Sequence, residues 1–273
     1  MNSDADVVFV GRFPMLMYHR IMSDRCPIPG NDREEARYGV DLAVFGSQLE
    51  QIAGSGRRAV SMREVHDRLS GGGQVPPEWV VLTFDDGNLS DYEHARPMLL
   101  DRGFSATFFI SAERLGAPGG LEPEMLARMA REGLDIGSHG MTHRFLTGLT
   151  AEDEVEEMEK SRVLLTEVCG RAVDFYAPPG GRIGRRGITT LKRLSYLAVC
   201  NSVFGFNRAV GERYEYNRIA VTASTTPGLF KRVIEGSLLA LTPHYARDRG
   251  LRWARKILGE RNYRRIRTAR LGS

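Results

Sequence analysis

Short apolar runs alternate along most of this chain with longer segments whose apolar residues recur every three or four positions. Compact β-branched and aromatic runs predict buried strands, and the three-to-four spacing predicts helices. The predicted strands are 13–19, 79–84, 106–110, 134–136, 172–176, 197–201 and 218–221, and the predicted helices are 42–52, 62–69, 90–102, 122–132, 150–168 and 188–194. This alternation indicates an α/β fold with a largely parallel sheet, open or closed into a barrel.

The helix predicted at 150–168 carries signals at both of its ends. Thr150 is a typical N-cap residue, and the acidic residues 152–154 fill the first turn, where the helix dipole favours negative charge. Gly170 follows the last apolar position and is expected to end the helix.

Polar or glycine-rich residues follow four of the predicted strands. They are His19, the pair Asp85 and Asp86, the pair His139 and His143, and the run Pro179-Gly180-Gly181. Sheets of this kind carry their functional sites on the loops after the strands, and in a closed parallel barrel those ends converge on one face. We therefore expect residues that are far apart in the sequence to meet in one pocket.

Asp86, His139 and His143 form a three-ligand set for a divalent metal ion that leaves room for a water molecule. Asp85 is then a spare base beside that water. Each half has a simpler interpretation by itself: the two aspartates could be a polar turn, and the two histidines could be an incidental pair, although their spacing of four residues would let them share a helical face. Gly140 also stands where a His-Glu-x-x-His protease helix has its glutamate. Together they predict a metal-assisted hydrolase.

Two other interpretations of these residues remain open at this point. Two histidines and a carboxylate also bind iron in oxygenases, although the α/β alternation and the spare aspartate do not fit that class. By itself, His19 is more simply a histidine at the edge of the core that hydrogen-bonds the backbone.

The net charge of +4 conceals a strongly basic C-terminal segment. Residues 244–273 hold ten Lys/Arg against two Asp/Glu, which leaves 28 against 32 in residues 1–243. Residues 251–266 have the spacing of a basic amphipathic helix, which could lie on an anionic membrane surface or cap the barrel. Nucleic acid is not an expected partner, because no recognised binding module accompanies this charge.

The remaining composition places the chain in a reducing compartment. Its three cysteines are scattered and show no Cys-x-x-Cys spacing, which argues against disulfides and a thiolate metal site. No stretch reaches the ~20 apolar residues of a membrane-spanning helix, and the N-terminus lacks a signal-peptide pattern. The expected location is the cytoplasm or the inner face of a membrane, or outside the cytoplasm if a leader has been removed.

Three segments of the chain resemble the polysaccharide deacetylases of carbohydrate esterase family 4, whose fold is the NodB-homology domain. Residues 83–87 (Thr-Phe-Asp-Asp-Gly) match the first motif of that family, and residues 138–143 (Ser-His-Gly-Met-Thr-His) match its second. Residues 14–19 (Pro-Met-Leu-Met-Tyr-His) are similar to the N-terminal segment of the subgroup that deacetylates exopolysaccharides. The resemblance covers about residues 13–235. It implies a distorted (β/α) barrel, which we assign to residues 1–243. The charge and spacing of residues 244–273 predict a basic, helical extension after it.

The resemblance also implies a role for each candidate residue. Asp86, His139 and His143 would bind the metal, commonly zinc, while Asp85 would act as the base. His19 would act as the acid, which reverses the simpler interpretation given above.

The third motif of the family, Arg-x-Pro-Tyr-Gly, is degraded here to Phe-Tyr-Ala-Pro-Pro-Gly-Gly at residues 175–181. The arginine that orients the base in the family is missing, so another group must hold Asp85. The family's oxyanion donor is the N–H just after the motif proline. If Pro178 were that proline, the donor position would fall on Pro179, which has no N–H. We therefore expect Gly180 to be the donor.

The expected function is metal-dependent removal of N-acetyl groups from the amino sugars of a polysaccharide or glycan precursor. One alternative is a deformylase or deacetylase of a lipid-linked or small-molecule sugar. A second is a catalytically inactive carbohydrate-binding module on the same fold, which the degraded third motif keeps open.

Overall fold

The structure, a computed structural model, describes residues 11–24, 26 and 33–241. One compact unit ends at Gly236, and a second begins at Ser237, of which the 3-10 helix Leu238–Leu241 is described. Within the described ranges, no helix has both the length and the apolar character needed to cross a membrane. The predicted boundary at residue 243 and the basic helix after it lie outside the described residues.

Strands and short helices alternate through the first unit. The strands are β1 (Arg12–Phe13), β2 (Met15–Tyr18), β3 (Arg20–Met22), β4 (Gly39–Asp41), β5 (Arg58–Val60), β6 (Trp79–Asp86), β7 (Thr107–Ile110), β8 (Asp135–Ser138), β9 (Phe175–Tyr176), β10 (Ala198–Cys200), β11 (Asn207–Arg208), β12 (Glu215–Tyr216) and β13 (Ile219–Ala220). The α-helices are α1 (Arg33–Tyr38), α2 (Leu42–Gly54), α3 (Met62–Ser70), α4 (Arg96–Leu100), α5 (Pro123–Arg131), α6 (Ala151–Cys169), α7 (Arg185–Arg193) and α8 (Pro227–Ile234).

The main sheet contains nine of these strands, all parallel, and curls part of the way into a barrel. Its order is β12-β10-β9-β8-β7-β6-β2-β13, and β5 pairs with the first part of β6 on the edge opposite β2, ahead of β7. The prediction of a single-domain α/β fold with a distorted barrel is confirmed. Because the strands are parallel, their carboxyl ends lie at one edge, where the candidate residues are found.

Most of the predicted elements are present, although their ends shift by a few residues. Helix α6 begins after Thr150, whose side chain accepts a hydrogen bond from Asp153 N, and it ends at Gly170, which has a φ of 66°. Both end signals of this helix are thereby confirmed. Several short elements were not predicted: strands β3, β4, β5, β11 and β12 and helices α1 and α8. Each of these strands has only two or three residues, too few to show a period.

The segment predicted as one helix at 90–102 is instead divided into two parts. A π-helical turn, Asp91–Ala95, precedes α4. Pro97 lies in the first turn of α4, where its missing N–H does no harm because that turn has no carbonyl partner inside the helix. The apolar spacing of the sequence did not reveal this wider, π-helical turn.

Strand β6 continues through both aspartates, so the expectation that it ends at Phe84 is wrong by two residues. Asp85 and Asp86 pair in register with Phe109 and Ile110 of β7. Backbone hydrogen bonds of a ladder do not depend on apolar side chains, so the strand continues where the apolar run stops. Val81, Thr83 and Asp85 are therefore on one face of β6.

The core inside the curled sheet is formed by alternate residues of neighbouring strands. Met15, Val81, Phe109, Phe175 and Cys200 belong to one buried cluster. Asp85, two strand positions beyond Thr83, continues this inward-facing row and is only 2% exposed. The site thus lies directly above the core, on a rigid part of the sheet.

Candidate metal centre and active site

A cleft of about 350 Å³ opens at the carboxyl ends of the strands. All six residues singled out from the sequence line it: His19, Asp85, Asp86, His139, His143 and Gly180. The structure thus confirms the expectation that the four strand ends converge on one pocket.

Asp86, His139 and His143 bring three possible metal ligands together. Asp86 Oδ1 lies 3.5 Å from His139 Nε2 and 3.1 Å from His143 Nε2, and the ligand atoms are all within 4.8 Å of one another. Two ligands, each 2.0–2.2 Å from a tetrahedral zinc ion, are about 3.3–3.6 Å apart. The spacing of these donors therefore fits a small divalent ion.

The protonation states of the two imidazoles also suit metal binding. His139 Nδ1 lies 2.7 Å from Ala177 O, a contact that requires a proton on Nδ1 and leaves the Nε2 lone pair facing Asp86. Burial lowers the pKa of His139, which favours this neutral form. The hydrogen bond to Asp86 raises the pKa of His143, and an ion bound at Nε2 would displace that proton.

Asp86 itself is held as a carboxylate. Burial by itself would raise its pKa, but the hydrogen bond from His143 and the charges of the nearby imidazoles lower it below the ordinary range. An ionised oxygen is the form that a metal ion binds.

The loop that carries the two histidines is not helical. His139 follows β8 directly, and residues 139–146 contain no helix, so the idea that the pair could share a helical face is wrong. His143 has a φ of 57° and Asp86 a φ of 82°; with Ser195 they are the non-glycine residues with positive φ in the described part of the chain. Such backbone costs of order 1–3 kcal/mol per residue and is typical of functional sites.

The strained backbone at Asp86 has a direct consequence for the site. Neighbouring residues of a regular strand point to opposite faces of the sheet. The left-handed conformation at Asp86 breaks this alternation at the end of β6, and both carboxylates line the same cleft.

Glu157 on α6 holds the histidine loop in place through hydrogen bonds. Its role was not identified from the sequence. Its Oε2 accepts hydrogen bonds from Met141 N and Thr142 N, each at 2.9 Å, and its other oxygen accepts from the Thr142 hydroxyl. Gly140 makes this approach possible, because a Cβ there would be 3.1 Å from Glu157 Oε2. A buried glutamate on a helix has no sequence signal that distinguishes it from a solvated one.

Asp85 is held by a buried arginine that the motif analysis missed. Arg218 Nη1 donates to Asp85 Oδ1 at 2.6 Å and Nη2 to Oδ2 at 2.8 Å. Arg218 is itself 1% exposed, and its Nε donates to Asn201 O at 3.0 Å. Burial by itself would raise the pKa of Asp85, but the Arg218 charge and hydrogen bonds, with the charges of His139 and His19, lower it.

The position of Arg218 resolves the question left by the degraded third motif. The arginine comes from the residue just before β13, far along the chain from the third-motif position. One signal was available in the sequence: a charged residue at the start of a predicted buried strand needs a buried partner. Only the fold shows that this partner is Asp85.

His19 lies between β2 and β3, and its ring stacks on Tyr38. The ring centroids are 4.5 Å apart with an angle of 29° between the planes. His19 Nδ1 is buried and has no hydrogen-bond partner among the described residues. The imidazole is therefore oriented by an aromatic face rather than by a carboxylate, and the contribution of Tyr38 was not predicted.

Gly180 lies in the 3-10 turn Pro179–Gly181 after β9, with a φ of 67°. A Cβ at Gly180 would be 2.5 Å from the Phe145 ring, so the exposed phenyl group packs directly on this backbone. A Cβ at Gly181 would be 2.0 Å from Ser202 Oγ. Glycine is required at both positions by backbone conformation and by close packing.

Comparisons with known proteins agree with this architecture. The polysaccharide deacetylase family model matches residues 72–199. YxkH of Bacillus subtilis (strain 168), provisionally named a polysaccharide deacetylase, is 26% identical over 225 residues, which are 82% of this chain and 76% of that protein. PdaA of the same organism, named a peptidoglycan-N-acetylmuramic acid deacetylase, is 27% identical over 60% of this chain and 63% of its own length.

A solved structure shares this fold over most of the chain. IcaB from Ammonifex degensii superposes with a TM-score of 0.69 and 25% identity over 82% of this chain and 96% of its own. The segment matched by the family model contains all three candidate metal ligands together with Asp85. Residues 72–199 of this chain therefore form part of a polysaccharide deacetylase domain.

Proposed function

We propose that this protein is a metal-dependent hydrolase that removes N-acetyl groups from the amino sugars of a glycan. The family supports the deacetylase activity itself. The metal requirement rests on the geometry of Asp86, His139 and His143. PdaA is named for N-acetylmuramic acid in peptidoglycan, and its similarity supports an N-acetylated sugar as the substrate.

Two imidazole nitrogens and one carboxylate oxygen suit zinc, the metal that we propose. When bound, the ion supplies Lewis-acid polarisation of the acetyl carbonyl and a lowered pKa for water. Asp86, His139 and His143 would bind it through Oδ1, Nε2 and Nε2. Three protein donors would leave room at the ion for water or substrate.

Asp85 is proposed as the general base. The guanidinium of Arg218 keeps it ionised and fixes its plane at the edge of the cleft. An ionised carboxylate oxygen can take the proton from the water that attacks the acetyl carbon. Arg218 is thus a positioning residue that acts through Asp85.

His19 and Gly180 are proposed to complete the site. His19 lines the same cleft and would donate a proton to the departing amine nitrogen, which is otherwise a poor leaving group. The Gly180 N–H would donate a hydrogen bond to the oxygen that becomes negative during attack, an effect worth about 3 kcal/mol in comparable sites.

The observation that carries this proposal is an ionised, arginine-held Asp85 beside a three-donor cluster of metal spacing in a single cleft. The replacement arginine supports an active enzyme over an inactive carbohydrate-binding module, because the missing family arginine was the reason for that alternative. A module without catalysis has no need for a buried charge pair at its base position.

The proposal is tested by measuring bound metal and released acetate on the same samples. The protein is treated with a chelator, reloaded with zinc and assayed on N-acetylated chitooligosaccharides. We expect Asp85→Asn to retain zinc and lose turnover by about 100-fold or more. We expect His139→Ala to lose both zinc and turnover.

The matched control is His66→Ala, a histidine outside the cleft that packs against Phe175. It should keep zinc and activity near those of the unmodified protein. Acetate release that is unaffected by the chelator, or normal turnover in Asp85→Asn, would contradict the proposed mechanism.

A further inference from the structure

Arginine side chains converge on one oxygen at the side of the cleft. Arg114 Nη2 donates to Asn88 Oδ1 at 3.0 Å, and Arg20 Nη2 donates to the same oxygen at 2.9 Å. All three residues line the cleft together with His19, Asp86 and His143. Two guanidinium groups therefore lie next to the proposed metal centre, and the mechanism above uses neither of them.

The orientation of Asn88 is set by its other contacts. Its Nδ2 donates to His19 O at 3.2 Å and to Asp85 O at 3.4 Å, while its backbone N donates to Asp91 Oδ2 at 3.0 Å. Asn88 is 1% exposed. Because the amide nitrogen is committed to two carbonyls, the amide oxygen must face the arginines, and it fixes their positions.

Arg114 is also fixed through its backbone. It ends the 3-10 turn Ala112–Arg114, whose first two N–H groups donate to the histidine loop, Ala112 N to Gly140 O and Glu113 N to Met141 O. These backbone contacts and the side-chain hydrogen bond to Asn88 together hold the guanidinium near the histidine loop. A side chain held in this way is preorganised for a ligand in the cleft.

The charge of Arg114 is not paired with a carboxylate of the described residues. In the described ranges, no acidic side chain lies within ion-pair distance of Arg114, and its hydrogen-bond partner is the neutral amide of Asn88. Asp91 shares this network by accepting from Asn88 N; burial raises its pKa well above the ordinary value and favours the neutral form. A half-buried guanidinium in such surroundings favours an anion as its next partner.

We infer that Arg114 and Arg20 form a subsite for a carboxylate carried by the glycan substrate, beside the acetamide that is cleaved. The inference rests on the proposed function for the position of that acetamide. Arginine presents several N–H groups in one plane and binds a carboxylate through paired, charge-assisted hydrogen bonds, whereas a neutral hydroxyl accepts fewer and weaker ones. The substrate class is therefore an acidic N-acetylated glycan.

The carboxylate could belong to the acetylated sugar or to its neighbour in the chain. The first case is represented by a tetrasaccharide with N-acetylmuramic acid units whose lactyl carboxylates are free. The second is represented by a hyaluronan tetrasaccharide, in which uronate alternates with N-acetylglucosamine. Chitotetraose and the first tetrasaccharide with its carboxyl groups reduced to alcohols are the neutral counterparts.

The readout is the ratio of kcat/KM for an acidic glycan to that for its neutral counterpart. We expect this ratio to be about 10 to 100 in the unmodified protein and to fall toward 1 in Arg114→Gln, mostly through KM, because one charged hydrogen-bond pair is lost. Arg114→Lys, which keeps the charge but not the planar fork, should retain part of the ratio. The control is Arg131→Gln, an exposed arginine on α5 outside the cleft, which should leave the ratio unchanged.

Binding is measured separately so that the subsite and the proposed activity can fail independently. Calorimetric titration of zinc-loaded Asp85→Asn with the same glycans needs no turnover, and melting curves confirm that each variant is folded. Tighter binding of an acidic glycan that disappears with Arg114→Gln supports the subsite, even if no acetate is released from any glycan. Equal binding of acidic and neutral glycans, or a ratio that Arg114→Gln does not change, overturns it.

Discussion

Replacing Arg218 with glutamine removes the positive charge that faces the buried Asp85 carboxylate. Both side chains are almost completely buried, at 1% and 2% exposure, and the two hydrogen bonds between them are 2.6 and 2.8 Å long. Removing one partner of such a pair leaves an uncompensated charge and costs about 3–5 kcal/mol. We therefore expect the free energy of unfolding of Arg218→Gln to fall by about that amount at pH 7.5.

The pH dependence of this loss follows from the direction of the Asp85 pKa. In the unmodified protein that pKa is lowered, so the carboxylate contributes stability above its unfolded pKa, and this contribution is lost as the pH falls through the folded pKa. In Arg218→Gln, burial without the guanidinium raises the pKa, so stability is lost as the pH rises through it. The difference between the two proteins should therefore shrink as the pH falls from 7.5 toward 4.

The assay is urea unfolding of the metal-free protein, followed by circular dichroism, for a double-mutant cycle. Asp85→Asn, Arg218→Gln and the double variant are compared with the unmodified chain. Because the double variant carries no uncompensated charge, its loss should be smaller than the sum of the single losses by at least about 1 kcal/mol. Additive losses, or a loss in Arg218→Gln that is independent of pH, would refute the assignment of Arg218 as the partner that keeps Asp85 ionised.

Three further predictions concern the surroundings of the site. Glu157→Ala leaves Met141 N and Thr142 N without an acceptor. It should weaken zinc binding about 10- to 100-fold in a chelator competition. The control, Glu156→Ala, changes an exposed neighbour and should leave zinc binding unchanged. Tyr38→Ala removes the aromatic face under His19 and should lower kcat for acetate release roughly 2- to 10-fold, while Tyr38→Phe keeps the ring and should keep the rate. Gly181→Ala should lower the melting temperature more than Gly170→Ala, since both positions have positive φ but only Gly181 lacks space for a Cβ.

The local pattern of the sequence determined much of the fold of the first unit. Apolar runs located most of the strands of the parallel sheet, and cap residues such as Thr150 and Gly170 marked the ends of helix α6. These features depend on neighbours within a few residues, so they can be read without coordinates. The position of polar residues after four strands also determined that one cleft would collect them, because parallel strands end at a common edge.

Only the tertiary structure decided how the site is held. Arg218 reaches Asp85 across 133 positions of sequence, and Glu157 reaches the histidine loop from helix α6. The left-handed backbone at Asp86 and the stacking of Tyr38 on His19 likewise depend on how separate elements pack. Sequence determines which groups are present, but buried charges and strained backbone are stable only where distant partners compensate them, and the packed fold alone specifies those partners.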